Sequence, residues 1–166
     1  MKLAEFSSKT ENTFYDRLLQ QCLDRVYFKW DGNVLSGAVG AAVILPNDDV
    51  VFGVSTKTSD GYWIHAEREA INKVIAKYGE VPENSKILST LEPCFDAMPN
   101  RFGCSCSELI GQHDIEFVYC GLEDDMQREL NPNYVHPFEI KYSKNPGIKF
   151  QSDKLYDTIP PVNTKP

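Results

Sequence analysis

The sequence predicts an α/β layered domain in which at least part of the sheet is parallel. Short apolar runs of strand length alternate along the chain with longer segments whose apolar residues recur at helical spacing. The chain of 166 residues, 42% hydrophobic, is long enough for one well-buried core and short for two.

The elements follow in order. Ser8-x-x-Glu11 has the form of a capping box, and Phe14, Leu18, Leu19, Cys22 and Val26 continue as an apolar helical stripe. Cys22 on that stripe reads as a small buried hydrophobe. Residues 37–45 (GAVGAAVIL) read as a buried strand. The turn signal Pro46-Asn47-Asp48-Asp49 and the run 50–54 (VVFGV) complete a hairpin. Apolar residues at 66, 70, 71, 74, 75 and 78, with Gly79 as a stop, predict a helix over 66–78. Residues 86–90 read as a third strand. A helix runs from near Cys106 to about Gln112, a fourth strand covers 116–120, and a fifth covers 148–151. Pro132, Pro137 and Pro146 break residues 126–147 into loops with room for one short helix. The expected layout is a single domain over 1–152 and an extended or disordered tail over 153–166, which holds Pro160, Pro161 and Pro166.

Composition narrows the partners. A formal net charge of −7 argues against a protein that grips phosphate backbones. Lys141, Lys144, Lys149 and Lys154 are too scattered to reverse that, and Glu123-Asp124-Asp125 reads as a solvated loop. Residues 1–13 contain no apolar leader, and no run approaches membrane-spanning length, so a cytoplasmic protein without a membrane partner is expected. Five cysteines, three of them within 94–106, point to metal or thiol chemistry in a reducing compartment.

The residues that carry chemistry are His65-Ala66-Glu67 and, twenty-five residues on, Pro93-Cys94. They place an imidazole and a carboxylate at a helix start, and a thiol at a strand end. A helix N-terminus favours thiolate over thiol. Three protein ligands would leave the fourth position of a tetrahedral zinc ion open, as catalysis requires. The pattern H-x-E followed by P-C-x-x-C is the signature of zinc nucleobase deaminases, where the Glu moves protons and does not bind the metal. Pro93 fixes the approach to Cys94 and keeps Glu92 extended. No Cys stands three residues after Cys94, so Cys104 and Cys106 both compete for the last ligand position. The competing reading is a closed structural site made by His65, Cys94, Cys104 and Cys106 together.

Residues 10–150 resemble the cytidine deaminase-like superfamily. Ser89-Thr90-Leu91-Glu92-Pro93-Cys94 is similar to the T-L-E-P-C segment of the tRNA adenosine deaminases and of the riboflavin-biosynthesis deaminase domain. Ala38-Val39-Gly40-Ala41 resembles their P-V-G-A strand. The resemblance implies a three-layer α/β/α fold with a five-stranded mixed sheet, helices on both faces, a Zn2+ cofactor and a homodimer or larger oligomer. It implies His65, Cys94 and Cys106 as ligands and Glu67 as the catalytic proton shuttle. Cys106 is preferred over Cys104 because the family's second Cys opens a helix with an aliphatic residue four later. That register gives Ile110 from Cys106, and Glu108 from Cys104.

Residues 95–105 then form an insertion with the flavour of the riboflavin-type enzymes. Expected substrate contacts are Lys57, at the place where many members carry Asn, the backbone around Ala66, Phe95 or Trp63 stacking on a base, and Arg101 holding an anionic group. The implied function is hydrolytic removal of an exocyclic amino group from a small nucleobase-like molecule, with release of ammonia. Such a molecule could be a base, nucleoside, nucleotide or riboflavin-pathway pyrimidine. The alternatives are tRNA adenosine deamination and a non-catalytic zinc-stabilised binding module.

Overall fold

The computed structural model describes residues 3–30, 38–61, 63–95 and 102–157. Its first element is a long helix, α1 (Leu3–Trp30). That helix begins five residues before Ser8, so the expected capping box does not stand at a helix start. Its buried stripe is Tyr15, Leu18, Leu19, Cys22, Leu23 and Val26, in which each residue has a partner three or four positions away on the same face. Phe14 falls one position off that stripe and is 48% exposed, contrary to expectation.

A hairpin follows, β1 (Gly40–Ile44) and β2 (Val50–Val54), paired antiparallel from Gly40↔Val54 to Ile44↔Val50. Its turn is closed by hydrogen bonds from the Leu45 N–H to the Asp49 carbonyl and from the Asp48 N–H to the Leu45 carbonyl. Two short strands that sequence periodicity does not show, β3 (Thr56–Lys57) and β4 (Trp63–Ile64), make a separate two-stranded ribbon leading to His65. Then come α2 (Ala66–Tyr78) and β5 (Ser85–Ser89), both within a residue of the expected bounds. Gly79 ends α2 in the left-handed region (φ 85°), which only glycine adopts without strain, and its N–H donates to the Ile75 carbonyl.

The remaining elements are α3 (Cys106–Gly111), β6 (Ile115–Cys120), α4 (Asp125–Leu130), β7 (Ile140–Tyr142) and α5 (Pro146–Asp157). The fifth strand is thus Ile140–Tyr142, and residues 148–151 are helical. The physical reason is visible at Asn145, whose Oδ1 accepts from the Gly147 and Ile148 N–H groups and caps a helix that opens on Pro146. Residues 153–157 continue that helix, so the tail does not become extended at 153; residues 158–166 lie outside the described ones. Asp124 also departs from expectation. It is buried and caps α4 by accepting from the Gln127 N–H.

The main sheet has the order β2-β1-β5-β6-β7. β1 runs antiparallel to both β2 and β5, while β5–β6 and β6–β7 are parallel, so the sheet is mixed. On one face, α1 and α5 pack Leu19, Leu23, Val26, Ile148 and Leu155 against Ala42, Leu88 and Tyr119. On the other, α2 and α3 pack Ala70, Ile71, Val74 and Ile110 against Val43, Ile87 and Val118. The result is three layers, α/β/α, with helices on both faces. A half-buried carboxylate, Asp16 of α1, accepts from the Tyr119 hydroxyl (2.8 Å) and the Ser143 hydroxyl (2.6 Å) and ties α1 across the sheet.

The start of α2 is seated by close packing. A Cβ on Gly53 would stand 2.3 Å from the Ala66 carbonyl oxygen and 2.6 Å from the Ala70 nitrogen. Only glycine lets β2 approach the helix that opens next to His65 so closely. No helix among the described residues is long and apolar enough to cross a membrane.

Candidate metal centre

Three segments converge at the ends of β5 and the starts of two helices. His65 is the N-cap of α2, with extended backbone and a side chain that makes no cap hydrogen bond, so the ring is left for other partners. Its Nδ1 lies 3.5 Å from the Cys106 Sγ. Cys106 is the first residue of α3, behind Ser105, whose hydroxyl accepts from the Glu108 N–H and caps that helix. Cys94 follows β5, and its Sγ accepts from the Cys106 N–H (3.3 Å) while its carbonyl accepts from the Ser107 N–H (2.9 Å).

The donor atoms of His65, Cys94 and Cys106 lie within 4.8 Å of one another. A tetrahedral zinc ion with bonds of about 2.0–2.3 Å needs donor separations of about 3.5–3.8 Å, so the group suits that ion in both size and chemistry. It also supplies one nitrogen and two sulfurs, and no fourth protein donor joins it among the described residues. Cys104 stands outside the group, with its Sγ 3.6 Å from Arg68 Nη2.

The electrostatics are those of a shared-proton cluster. The Cys94 thiol is held well below its ordinary value by hydrogen bonding to Cys106, with His65 adding to the effect. Cys106 is pushed up in turn by that same hydrogen bond and by burial. His65 is raised to about 8 by its hydrogen bond to Cys94. Metal binding would displace these protons.

Glu67, in the first turn of α2, is 3% exposed, and burial raises its carboxyl above the ordinary range. The Ser89 hydroxyl donates to its Oε1 at 3.0 Å.

The other expected substrate contacts fare differently. Phe95 is buried at 3% exposure, stacks on Tyr134 (4.6 Å, 12° between planes) and lies under the Arg128 guanidinium. At that burial its ring packs against protein neighbours. Lys57 is exposed on β3 and pairs across the ribbon with Trp63. Ala66 is buried at the first position of α2, beside His65. Arg101 lies outside the described residues.

Sequence reasoning missed a buried network behind the cysteines. Glu92 is 1% exposed and accepts from the Asp124 N–H (3.0 Å), Arg128 Nη2 (2.7 Å) and His136 Nε2 (2.5 Å). Burial alone would raise its carboxyl, but the His136 and Asp124 hydrogen bonds outweigh that and hold it lowered. Ser107, fully buried, meets His136 Nδ1 at 2.7 Å and the Tyr134 hydroxyl at 2.8 Å. The one signal available was the scarcity of histidine, three in the chain. Arg68, missed as well, donates to the Cys104 carbonyl at 2.9 Å and lies over Phe102, which ties residues 102–104 to α2.

Comparison with known proteins places this geometry. The model of the cytidine and deoxycytidylate deaminase zinc-binding region matches residues 15–122, and the chain belongs to that family. Among solved structures it is similar to the diaminohydroxyphosphoribosylaminopyrimidine deaminase/5-amino-6-(5-phosphoribosylamino)uracil reductase of Thermotoga maritima. That pair has 24% identity and a TM-score of 0.66, covering 89% of this chain and 41% of the other. RibD of Acinetobacter baumannii gives 16% identity, a TM-score of 0.61, and coverage of 89% and 39%. The dCMP deaminase of cyanophage S-TIM5, crystallised with dCMP and dUMP, gives 22%, 0.51, and coverage of 86% and 98%. The chain spans about two fifths of the length of the first two structures. No curated protein matches it.

Proposed function

We propose that the protein is a zinc-dependent hydrolytic deaminase of a small nucleobase-like substrate, with His65, Cys94 and Cys106 as ligands and Glu67 as the proton carrier. The observation that carries this reading is the buried Glu67 carboxylate beside a three-donor group that leaves one tetrahedral position open. Zinc, when bound, supplies a Lewis acid that makes hydroxide accessible near neutral pH. Glu67, its Oε1 held by Ser89, takes the proton of the attacking water and then delivers it to the leaving amine. Its raised carboxyl suits a group that must both accept and return a proton. Backbone N–H groups at Ala66, in the first turn of α2, have no helical partner and can orient the substrate.

The net charge of −7 favours a small molecule over tRNA. The substrate class is tested by an ammonia-release screen over bases, nucleosides, nucleotides and aminopyrimidine nucleotides, and the role of Glu67 by Glu67→Gln. That variant should keep its zinc and fold and lose activity by about 10²–10⁴-fold, the range for removal of a general acid–base. Turnover at the parental rate would remove Glu67 from the chemistry. A fourth protein donor on zinc, seen by X-ray absorption, would instead favour a closed structural site and a binding module.

A further inference from the structure

The compact form of this motif sets two residues between its cysteines, so that a single turn of chain fixes both sulfurs. Here residues 95–105 intervene. A tether of that length restrains its ends weakly, and besides the direct bonds from the Cys106 and Ser107 N–H groups to Cys94, contacts from elsewhere hold the two cysteine-bearing segments in register.

One side chain reaches both. His136, 8% exposed in the segment between α4 and β7, places Nε2 2.5 Å from Glu92 Oε2 and Nδ1 2.7 Å from Ser107 Oγ. Glu92 precedes Cys94 by two residues, and Ser107 directly follows Cys106. A carboxylate only accepts, so Nε2–H donates to Glu92, while Nδ1 pairs with the Ser107 hydroxyl. The imidazole is rigid, and its surroundings deny it other positions: it stacks on Phe138 (4.9 Å, 27°) and meets Phe95 and Tyr134 edge to face. Both ends are anchored in turn, Glu92 by Arg128 and the Asp124 N–H, and Ser107 by Tyr134.

The Ser–His–Glu order resembles a nucleophilic relay. Ser107 is fully buried, however, and also engaged by Tyr134, so no substrate reaches it.

We propose that His136, held between Glu92 and Ser107, is a positioning residue that sets the spacing of the Cys94 and Cys106 sulfurs and thereby the zinc affinity of the site. The proposal rests on reading the cluster as a zinc centre. The strut takes over the constraint that the short spacing supplies in the compact motif.

Zinc affinity by chelator competition, with the visible spectrum of the cobalt(II)-substituted protein, tests it on the full chain. His136→Ala and Ser107→Ala should each weaken zinc binding by about 10- to 100-fold, the range for loss of groups that orient metal ligands, and should shift the cobalt bands. Because either change cuts the same strut, the double variant should be little weaker than the weaker single one. Asn145→Ala, which uncaps α5 on the other face of the sheet and leaves the strut whole, should bind zinc as the parent does. Single variants with lowered melting temperature but parental affinity and cobalt spectrum would make His136 an ordinary core residue and overturn the proposal. Should His136→Ala fail to fold, Ser107→Ala alone decides by the same criterion. A parent chain that binds no zinc would overturn the metal-centre reading itself, whereas a tight-binding parent with unaffected variants overturns the strut alone.

Discussion

Cys104 and Cys106 are two residues apart, yet they occupy different chemistry. Cys106 opens α3 with its sulfur toward His65, while the carbonyl of Cys104 is held by Arg68 and its sulfur lies outside the donor group. Cys106→Ser should therefore abolish stoichiometric zinc, and Cys104→Ser should retain it, as read by metal analysis of the purified proteins. The reverse result would hand the ligand position to Cys104. This distinction was legible in the sequence only through helix register, which sets Ile110 four residues beyond Cys106 on a buried face. Phe95 shows the limit of such reading. An aromatic after a ligand looks like a stacking platform, and only the positions of Tyr134 and Arg128 reveal that both neighbours are protein. His136 was invisible because it stands 44 residues from Glu92 and 29 from Ser107, with no periodicity linking them.

Elements whose signals are local were legible, and those decided by competing local signals were not. The stretch over α2 combines an apolar face with a glycine stop, and the helix follows it. Residues 148–151 offer a strand-like alternation, but Asn145 and Pro146 just before them form a helix start that outweighs it. The cap can be measured directly. Asn145→Ala should destabilise the protein by about 1 kcal/mol, the usual cost of losing such a cap, seen as a lower urea midpoint at unchanged slope. An unchanged midpoint would mean that packing of Ile148 and Leu155 alone holds α5. β7 escaped sequence reading for the opposite reason: three residues are too few for a pattern, and its place is set by parallel pairing with β6.

The molecule as a whole brings together candidate metal donors from residues 65, 94 and 106, while α1 packs on the sheet face opposite α2 and α3. The layering and the family were legible because apolar period and motif both survive in a single sequence. The links that close the fold were not, since they join residues far apart. Asp16 is such a link: its partners Tyr119 and Ser143 lie 103 and 127 positions away. Contacts of that separation carry a high closure cost. We expect the Asp16–Tyr119 bond to act as a latch on the finished structure and not as part of the folding nucleus. Tyr119→Phe, costing about 1 kcal/mol, should speed unfolding about fivefold and leave the refolding rate unchanged in a stopped-flow chevron. Slowed refolding would place α1 docking before the barrier. As a latch, the carboxylate of one helix governs how long the assembled protein persists, independently of how quickly it forms.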